Sequence, residues 1–300
     1  MHLGTIRAGL TLAGFALLTL PLMPVQAVLR RIAPKLGQWL PHWYHRQVCR
    51  LIGVRLTVDG AVVPGRPVLL VANHSSWLDI PVLSAVAPLS FIAKSEVGGW
   101  PVVGTLARLQ GTVFVDRTRR HSVGGTASEI ADRLAAGDAL VLFAEGTSSD
   151  GNRVLPLRSS LFGAVELSGR ADGHKGGEGG SPGPVIQTVA IVYTRRHGLP
   201  LGRADRPAIG WYGDMDLGPH AWALLSGGPL DVSIRIGAPL PADACAERKT
   251  LTRVADAELR TNVVQLLRGL PADVPVVATM PPSGVVAPHS GRHVASAKWS

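Results

Sequence analysis

Cysteine is almost missing from this chain: Cys49 and Cys245 are the only two in 300 residues. That count excludes a disulfide framework and a Cys-rich metal site, and it is compatible with a reducing compartment. Acidic residues are absent from the whole N-terminal region, where no Asp or Glu precedes Asp59. Charge of either sign is absent from Ala8 to Leu29, a run of 22 residues.

What stands there instead is apolar and basic. Hydrophobic residues make up 46% of the chain and the mean hydropathy is +0.22, high for a freely soluble protein. The formal net charge is +9; Arg7, Arg30, Arg31, Lys35, Arg46, Arg50 and Arg55 supply +7 of it, leaving +2 for all that follows. A basic segment can face nucleic acid. This one adjoins a charge-free stretch long enough to cross a bilayer core, or to lie in it as a hairpin bent at Pro21 and Pro24. Arginines beside such a stretch suit anionic phospholipid head groups, at about 1 kcal/mol each near the surface. The expected partner is therefore membrane lipid, with no nucleic acid.

Val25-Gln26-Ala27 resembles a signal-peptide cleavage site. Only Arg7 precedes the apolar stretch, however, whereas Arg30, Arg31 and Lys35 follow it. That bias predicts an uncleaved anchor in the inner or plasma membrane, with the rest of the chain on the cytoplasmic side. Beyond it, Trp39, Trp43 and Tyr44 are mixed with basic residues, as in a segment lying at the membrane interface. Pro34 and Pro41 read as breaks there. Short helices packed on the following domain are the alternative, and the two readings are compatible.

Three hundred residues allow one large domain or two small ones. Apolar runs at Pro67–Ala72, Thr112–Val115, Ala139–Phe143, Val185–Tyr193 and Leu230–Ile236 read as strands. Ile80–Val86 and Ser128–Ala136 fit helices between them. The alternation predicts an α/β fold, a central mostly parallel sheet flanked by helices, preceded by a membrane helix or hairpin. The expected organisation is an anchor and interfacial segment over 1–58, an α/β domain over 59–268 and a disordered tail over 269–300. Seven glycines between 169 and 183 mark a flexible insertion in the domain.

The most informative segment is Val71-Ala72-Asn73-His74-Ser75-Ser76-Trp77-Leu78-Asp79. It sets an imidazole and a carboxylate, four residues between them, directly after a buried strand. The end of such a strand is where an open α/β sheet usually holds its ligand. The carboxylate can fix the imidazole's tautomer and stabilise its charged form, so that the other ring nitrogen takes a proton from a hydroxyl. The blander reading is a helix cap made by Asn73, Ser75 and Ser76, with His74 an ordinary turn residue. Three further segments decide between the two: Gly111-Thr112-Val113-Phe114-Val115-Asp116-Arg117, a strand ending in an arginine; Phe143-Ala144-Glu145-Gly146-Thr147-Ser148-Ser149, a strand ending in an acid and a tight turn; and the buried strand Val185–Ile191.

In this order and spacing the four segments resemble the glycerolipid acyltransferases, in particular the bacterial 1-acylglycerol-3-phosphate acyltransferase family. Its blocks read Asn-His-x-x-x-x-Asp, Gly-x-Val/Ile-Phe-Val/Ile-x-Arg, Phe-Pro-Glu-Gly-Thr-Arg-Ser and a Pro-containing apolar strand. The resemblance runs from about Pro67 to Tyr193. It implies that His74 is the general base acting on the acceptor hydroxyl and that Asp79 orients and supports it. It also implies that Arg117 binds the acceptor's anionic head group, and that Glu145, Gly146, Thr147 and Ser148 shape the acceptor site, with Glu145 accepting hydrogen bonds from the acceptor. No metal and no cofactor are implied; acyl-CoA or acyl carrier protein enters as the acyl-donor substrate.

The implied reaction moves a fatty acyl group onto the free hydroxyl of a lysolipid acceptor, foremost 1-acyl-sn-glycerol-3-phosphate, giving phosphatidate. Three positions depart from the blocks, and of these Ser148 bears on the acceptor. Ala144 replaces the usual Pro, Ser148 the usual second Arg, and Gln187-Thr188 the proline of the fourth block. The stretch Phe143–Phe162 with Ser148-Ser149-Asp150-Gly151-Asn152-Arg153, followed by Tyr193-Thr194-Arg195 and Gly210–Asp216, is similar to a sub-branch that includes lyso-ornithine-lipid O-acyltransferases. That alternative acceptor carries a carboxylate and an amine in place of a phosphate; Arg153 or Arg158 could equally replace the missing cation. A serine hydrolase using Ser75 or Ser76 is a rival reading, but neither serine sits in a Gly-x-Ser-x-Gly elbow. A lipid-binding protein that kept the fold without activity is the other rival.

Overall fold

Val68-Leu69-Leu70-Val71-Ala72 has no polar position to turn toward water. In the computed structural model all five residues are buried in strand β2 (Val68–Ala72). Such a strand needs cover on both faces of its sheet. The structure describes residues 2–115, 122–162, 184–241 and 248–270. Among these, β2 lies within a sheet that also contains β1 (Val54–Asp59), β3 (Ser90–Lys94), β4 (Val113–Val115), β5 (Ala139–Phe143), β6 (Val185–Arg196), β7 (Leu199–Pro200), β8 (Leu230–Ile236) and β9 (Leu240–Pro241).

The strand order is β1-β8-β6-β2-β5-β3-β4, with β7 and β9 also paired to β6. From β6 to β4 neighbouring strands are parallel. β8 runs antiparallel to β6 and carries β1 parallel along its outer side. The mostly parallel sheet expected from the sequence is therefore present, and each of the five expected strands is found. Helices Asp79–Ser84 and Ser122–Ala135 match the two expected between strands.

Alternate residues of β2 feed two cores, as a period of two requires. Val68, Leu70 and Ala72 pack with Val48, Val82 and Phe91 on one face, while Leu69 and Val71 pack with Leu134, Leu142 and Leu251 on the other. Gln187, which stands in place of the proline of the resemblance, is buried in β6 and fully used. Its Oε1 accepts the Val63 N–H at 2.9 Å, and its Nε2 donates to the carbonyls of Ala61 and Gly237 at 3.1 and 2.8 Å.

The N-terminal region departs from expectation in three ways. Helix α1 (His2–Ile32) runs unbroken through Pro21 and Pro24, so no hairpin bend forms there. The chain reverses at Ala33 instead, and helix α2 (Pro34–Ile52) starts on Pro34, whose missing N–H costs nothing at a first helical position, then continues through Pro41. Finally, Val54–Asp59 belongs to the sheet and not to the interfacial segment, because its alternating Val54, Leu56 and Val58 suit a strand beside β8.

The two helices pack antiparallel. Leu51 presses so close on Gly14 that a Cβ there would stand 2.9 Å from a Leu51 methyl. Thr19 Oγ1 lies 2.7 Å from the Tyr44 hydroxyl, and Gln26 Nε2 donates to the Gly37 carbonyl at 2.7 Å. Both ends of α1 are fastened to the α/β domain. Arg7 donates to the carbonyls of Leu225 and Ile52, and Gln26 and Arg30 to those of Leu109 and Arg108. α1 is long and apolar enough to cross a membrane, yet it is fastened to the domain at both ends with Leu3, Leu10, Leu17 and Leu20 exposed. The insertion at 169–183 and residues 271–300 of the expected tail lie outside the described residues.

Candidate active site

The register of the sheet brings the chemistry together. Ala72, the last residue of β2, pairs with Phe143 at the end of β5 and with Val189 in β6. The segments that follow β2 and β5 therefore emerge side by side. Asn73 continues the pairing with its side chain once the β2 backbone turns away. Its Nδ2 donates to the Ile191 carbonyl at 2.9 Å, and its Oδ1 accepts the Ile191 N–H at 2.8 Å. That double bond anchors the residue immediately before His74.

His74 Nδ1 lies 2.8 Å from Asp79 Oδ2. The same oxygen accepts the backbone N–H groups of Ser75 at 2.8 Å and Ser76 at 3.0 Å, which folds residues 74–79 into one tight turn around the carboxylate. Asp79 Oδ1 accepts the Tyr193 hydroxyl at 2.6 Å. Asp79 is fully buried, whereas 18% of the His74 side chain is exposed. The imidazole stacks on Phe143 with ring centroids 4.0 Å apart and planes 19° apart. An ionised Asp79 makes Nδ1 the protonated nitrogen and leaves the lone pair on Nε2, which has no partner among the described residues.

Glu145 is also buried, at 2% exposure. Its Oε1 accepts the His74 N–H at 2.9 Å and its Oε2 the Leu155 N–H at 2.8 Å. Burial raises its carboxyl to about 7, opposed by those two N–H donors. The resemblance gives Glu145 hydrogen bonds to the acceptor; in the structure each of its oxygens also accepts a backbone N–H, so it braces the turn that carries His74. Arg260 supports the far side of this arrangement by donating to the carbonyls of Val154 and Leu155 at 2.6 and 3.1 Å.

Gly146 closes the turn after β5 at φ +75°, a conformation that suits glycine, and its N–H returns to the Phe143 carbonyl at 3.0 Å. Thr147 is exposed beside it. Ser148 gives its hydroxyl proton to the Trp211 carbonyl at 2.5 Å, and the Trp211 N–H goes to the Ser75 carbonyl at 2.7 Å. Ser149 donates its N–H to the His74 carbonyl at 2.9 Å. The turn from His74 to Asp79 is thus sewn to both the 145–149 turn and the 209–216 loop. Arg153 and Arg158 are exposed. Arg117 lies outside the described residues; β4, the strand before it, stands three strands from β2.

Ser75 and Ser76 are both buried, at 2% and 0% exposure, so neither presents a nucleophile to an incoming ester. No three His, Cys, Asp or Glu side chains gather as metal ligands among the described residues. A hollow of about 590 Å³ is lined by Cys49, Arg50, Val58, Ala61 and Ala85 among others, and it shares no residue with the turn around His74. Two contributors escaped the sequence reading, Phe143 as the platform under the imidazole and Tyr193 as the second partner of Asp79. Tyr193 did carry a signal, because a phenol within an otherwise apolar buried strand needs a polar partner.

Comparison with known proteins adds three findings. A family model described as Acyltransferase matches residues 55–192. The lyso-ornithine lipid O-acyltransferase of Brucella abortus (strain 2308) is 47% identical over 267 residues, covering 89% of this chain and 97% of that protein, and the 1-acyl-sn-glycerol-3-phosphate acyltransferase of Neisseria meningitidis serogroup B is 31% identical over 219 residues, covering 70% and 78%. The crystal structure of the 1-acyl-sn-glycerophosphate acyltransferase from Thermotoga maritima matches this fold with a TM-score of 0.61 at 21% identity, over 88% of this chain and 97% of that one.

Proposed function

This chain belongs to the acyltransferase family, and on that premise we propose that it esterifies the free hydroxyl of a lyso-ornithine lipid with a fatty acyl group drawn from acyl-CoA or acyl carrier protein. The observation that carries the reading is the pairing of His74 Nδ1 with buried Asp79 at 2.8 Å, which leaves Nε2 free on a partly exposed side chain.

Nε2 takes the proton of the acceptor hydroxyl as its oxygen attacks the thioester carbonyl. Asp79 stabilises the imidazolium that forms. The tetrahedral intermediate collapses with cleavage of the C–S bond, and the proton passes to the departing thiolate. Ester and free thiol are the products. General-base assistance of this kind contributes about 10²–10⁴ in rate. Arg117 binds the acceptor's anionic group through its planar fork of donors.

Two observations support the ornithine-type acceptor. The relative at 47% identity is named for it, and Ser148, which stands where the phosphate-specific blocks carry an arginine, spends its proton on Trp211. Lysophosphatidate is the second reading, favoured by the Neisseria relative at 31% identity.

The exposed apolar side of α1, with the arginines around it, supports a membrane-bound enzyme whose catalytic domain faces the cytoplasm and receives its acceptor from the bilayer. Purified full-length protein assayed with both lysolipids tests the acceptor: higher kcat/KM on lyso-ornithine lipid is expected, and the reverse order would move the assignment to lysophosphatidate. His74→Ala tests the base: loss of transfer by about 10²-fold or more is expected, and an unchanged rate would overturn it.

A further inference from the structure

We propose that Tyr193 is a positioning residue of the reaction: its hydroxyl holds the plane of the Asp79 carboxylate so that Oδ2 faces His74 Nδ1. The inference rests on the reading of His74 as the base.

The two oxygens of Asp79 are unequally supplied. Oδ2 accepts three donors, His74 Nδ1 and the N–H groups of Ser75 and Ser76. Oδ1 accepts the Tyr193 hydroxyl at 2.6 Å, a short bond of the charge-assisted kind. Asp79 is fully buried, so water does not replace that donor. Without it, Oδ1 would be a buried unpaired anion, and the carboxylate would turn or take up a proton.

Tyr193 is itself held where this bond needs it. It is 4% exposed and pairs with Val232 of β8. The β6–β8 register slips between Tyr193 and Arg195. Bulges of this sort recur beside active sites, where they re-aim a side chain. Burial, together with the negative charge of Asp79, keeps the phenol proton well above its usual range, so Tyr193 donates throughout the working pH range. The titratable and charged groups around the pair include His74, Glu145, Cys49 and Arg206, the last lining a small pocket with Tyr193.

The test is Tyr193→Phe in the purified full-length enzyme, with the melting temperature recorded beside the kinetics. kcat is expected to fall between about ten and a hundredfold, with each KM within about twofold. The acid limb of kcat/KM should move to higher pH. Asp79 then takes a proton more readily, and while ionised it pulls harder on the imidazolium, so both effects delay the competent state. Combined with Asp79→Asn, the Phe variant should cause no further loss. A wild-type acid limb, or losses that multiply in the double variant, would overturn the inference.

Should the Phe variant not fold, fluorotyrosine incorporated into a Tyr44→Phe/Tyr212→Phe background leaves Tyr193 as the sole tyrosine. Its stronger donation should shift the acid limb to lower pH, and an unmoved limb would count against the assignment. Retained transfer by His74→Ala would instead sink the base itself. An inactive His74→Ala beside a wild-type Tyr193→Phe would sink only the role of Tyr193.

Discussion

Glu145 accepts the backbone N–H of His74 at 2.9 Å, so the acid that follows β5 restrains the residue that follows β2. Because β2 and β5 are paired neighbours, this one bond fixes the His74–Asp79 turn against the centre of the sheet. The other carboxylate oxygen accepts the Leu155 N–H at 2.8 Å, so each oxygen already holds one backbone donor.

A clamp and a ligand differ in what their loss does to kinetics. Glu145→Gln keeps the shape but replaces one acceptor oxygen with an NH₂ group that faces a backbone N–H. The expected result is a fall in kcat of about ten to a hundredfold with the lysolipid KM changed less than about threefold. A large rise in KM at constant kcat would return Glu145 to direct acceptor binding. Steady-state kinetics over a lysolipid concentration series distinguishes the two.

The same carboxyl sets a pH dependence of stability. Burial lifts it from the usual value near 4.5 to about 7 in the folded protein. Between those values the folded chain holds a proton that the unfolded chain releases, so folding stability declines as pH rises through the interval. The stabilisation is complete below about pH 4.5 and gone above about pH 7. Melting temperatures of the full-length protein in detergent should therefore fall from pH 5 to pH 8, and Glu145→Gln should flatten that slope. Equal slopes for the two proteins would show that another group titrates there.

Part of this site was legible in the residues themselves. The four-residue spacing of His74 and Asp79 after a buried apolar run specified a turn that could close on the carboxylate, and it does. The block around Glu145 was legible as a strand end, and parallel pairing then set it beside His74. Which atoms Glu145 touches was not legible, because that depends on how the backbone of residues 154–155 returns. Tyr193 lies 114 positions from Asp79, and only the register of β6 brings them together. Pro21 and Pro24 misled for a physical reason: a proline interrupts one helical hydrogen bond, and a long apolar helix with packed neighbours tolerates the loss.

The exposed side of α1 yields a prediction about attachment. Leu17 and Leu20 are 78% and 66% exposed, so charging them costs the fold little. In hydrocarbon each charge costs about 2.5–3.5 kcal/mol on insertion scales. Leu17→Glu/Leu20→Glu should therefore release the protein from anionic phospholipid vesicles in a flotation assay, while its melting temperature in detergent stays within about 2 °C of wild type. Flotation indistinguishable from wild type would mean that this side of α1 does not meet the bilayer.

Ser148 offers the sharpest handle on acceptor choice. Its hydroxyl gives the Trp211 carbonyl a 2.5 Å bond, and Trp211 in turn reaches the Ser75 carbonyl at 2.7 Å, so the 209–216 loop closes on the His74–Asp79 turn at the position where the family blocks carry an arginine. Ser148→Arg both cuts that tie and supplies a planar cation suited to a phosphate. The ratio of kcat/KM for lysophosphatidate over lyso-ornithine lipid should rise by about tenfold or more, the scale of one charge-assisted hydrogen bond. Ser148→Ala removes the tie without adding charge, and should slow both acceptors alike, by less than about tenfold. The comparison of the two variants separates head-group recognition from loop closure. If arginine and alanine leave the acceptor ratio equally unmoved, discrimination lies elsewhere in the site, with Arg117 the next position to change.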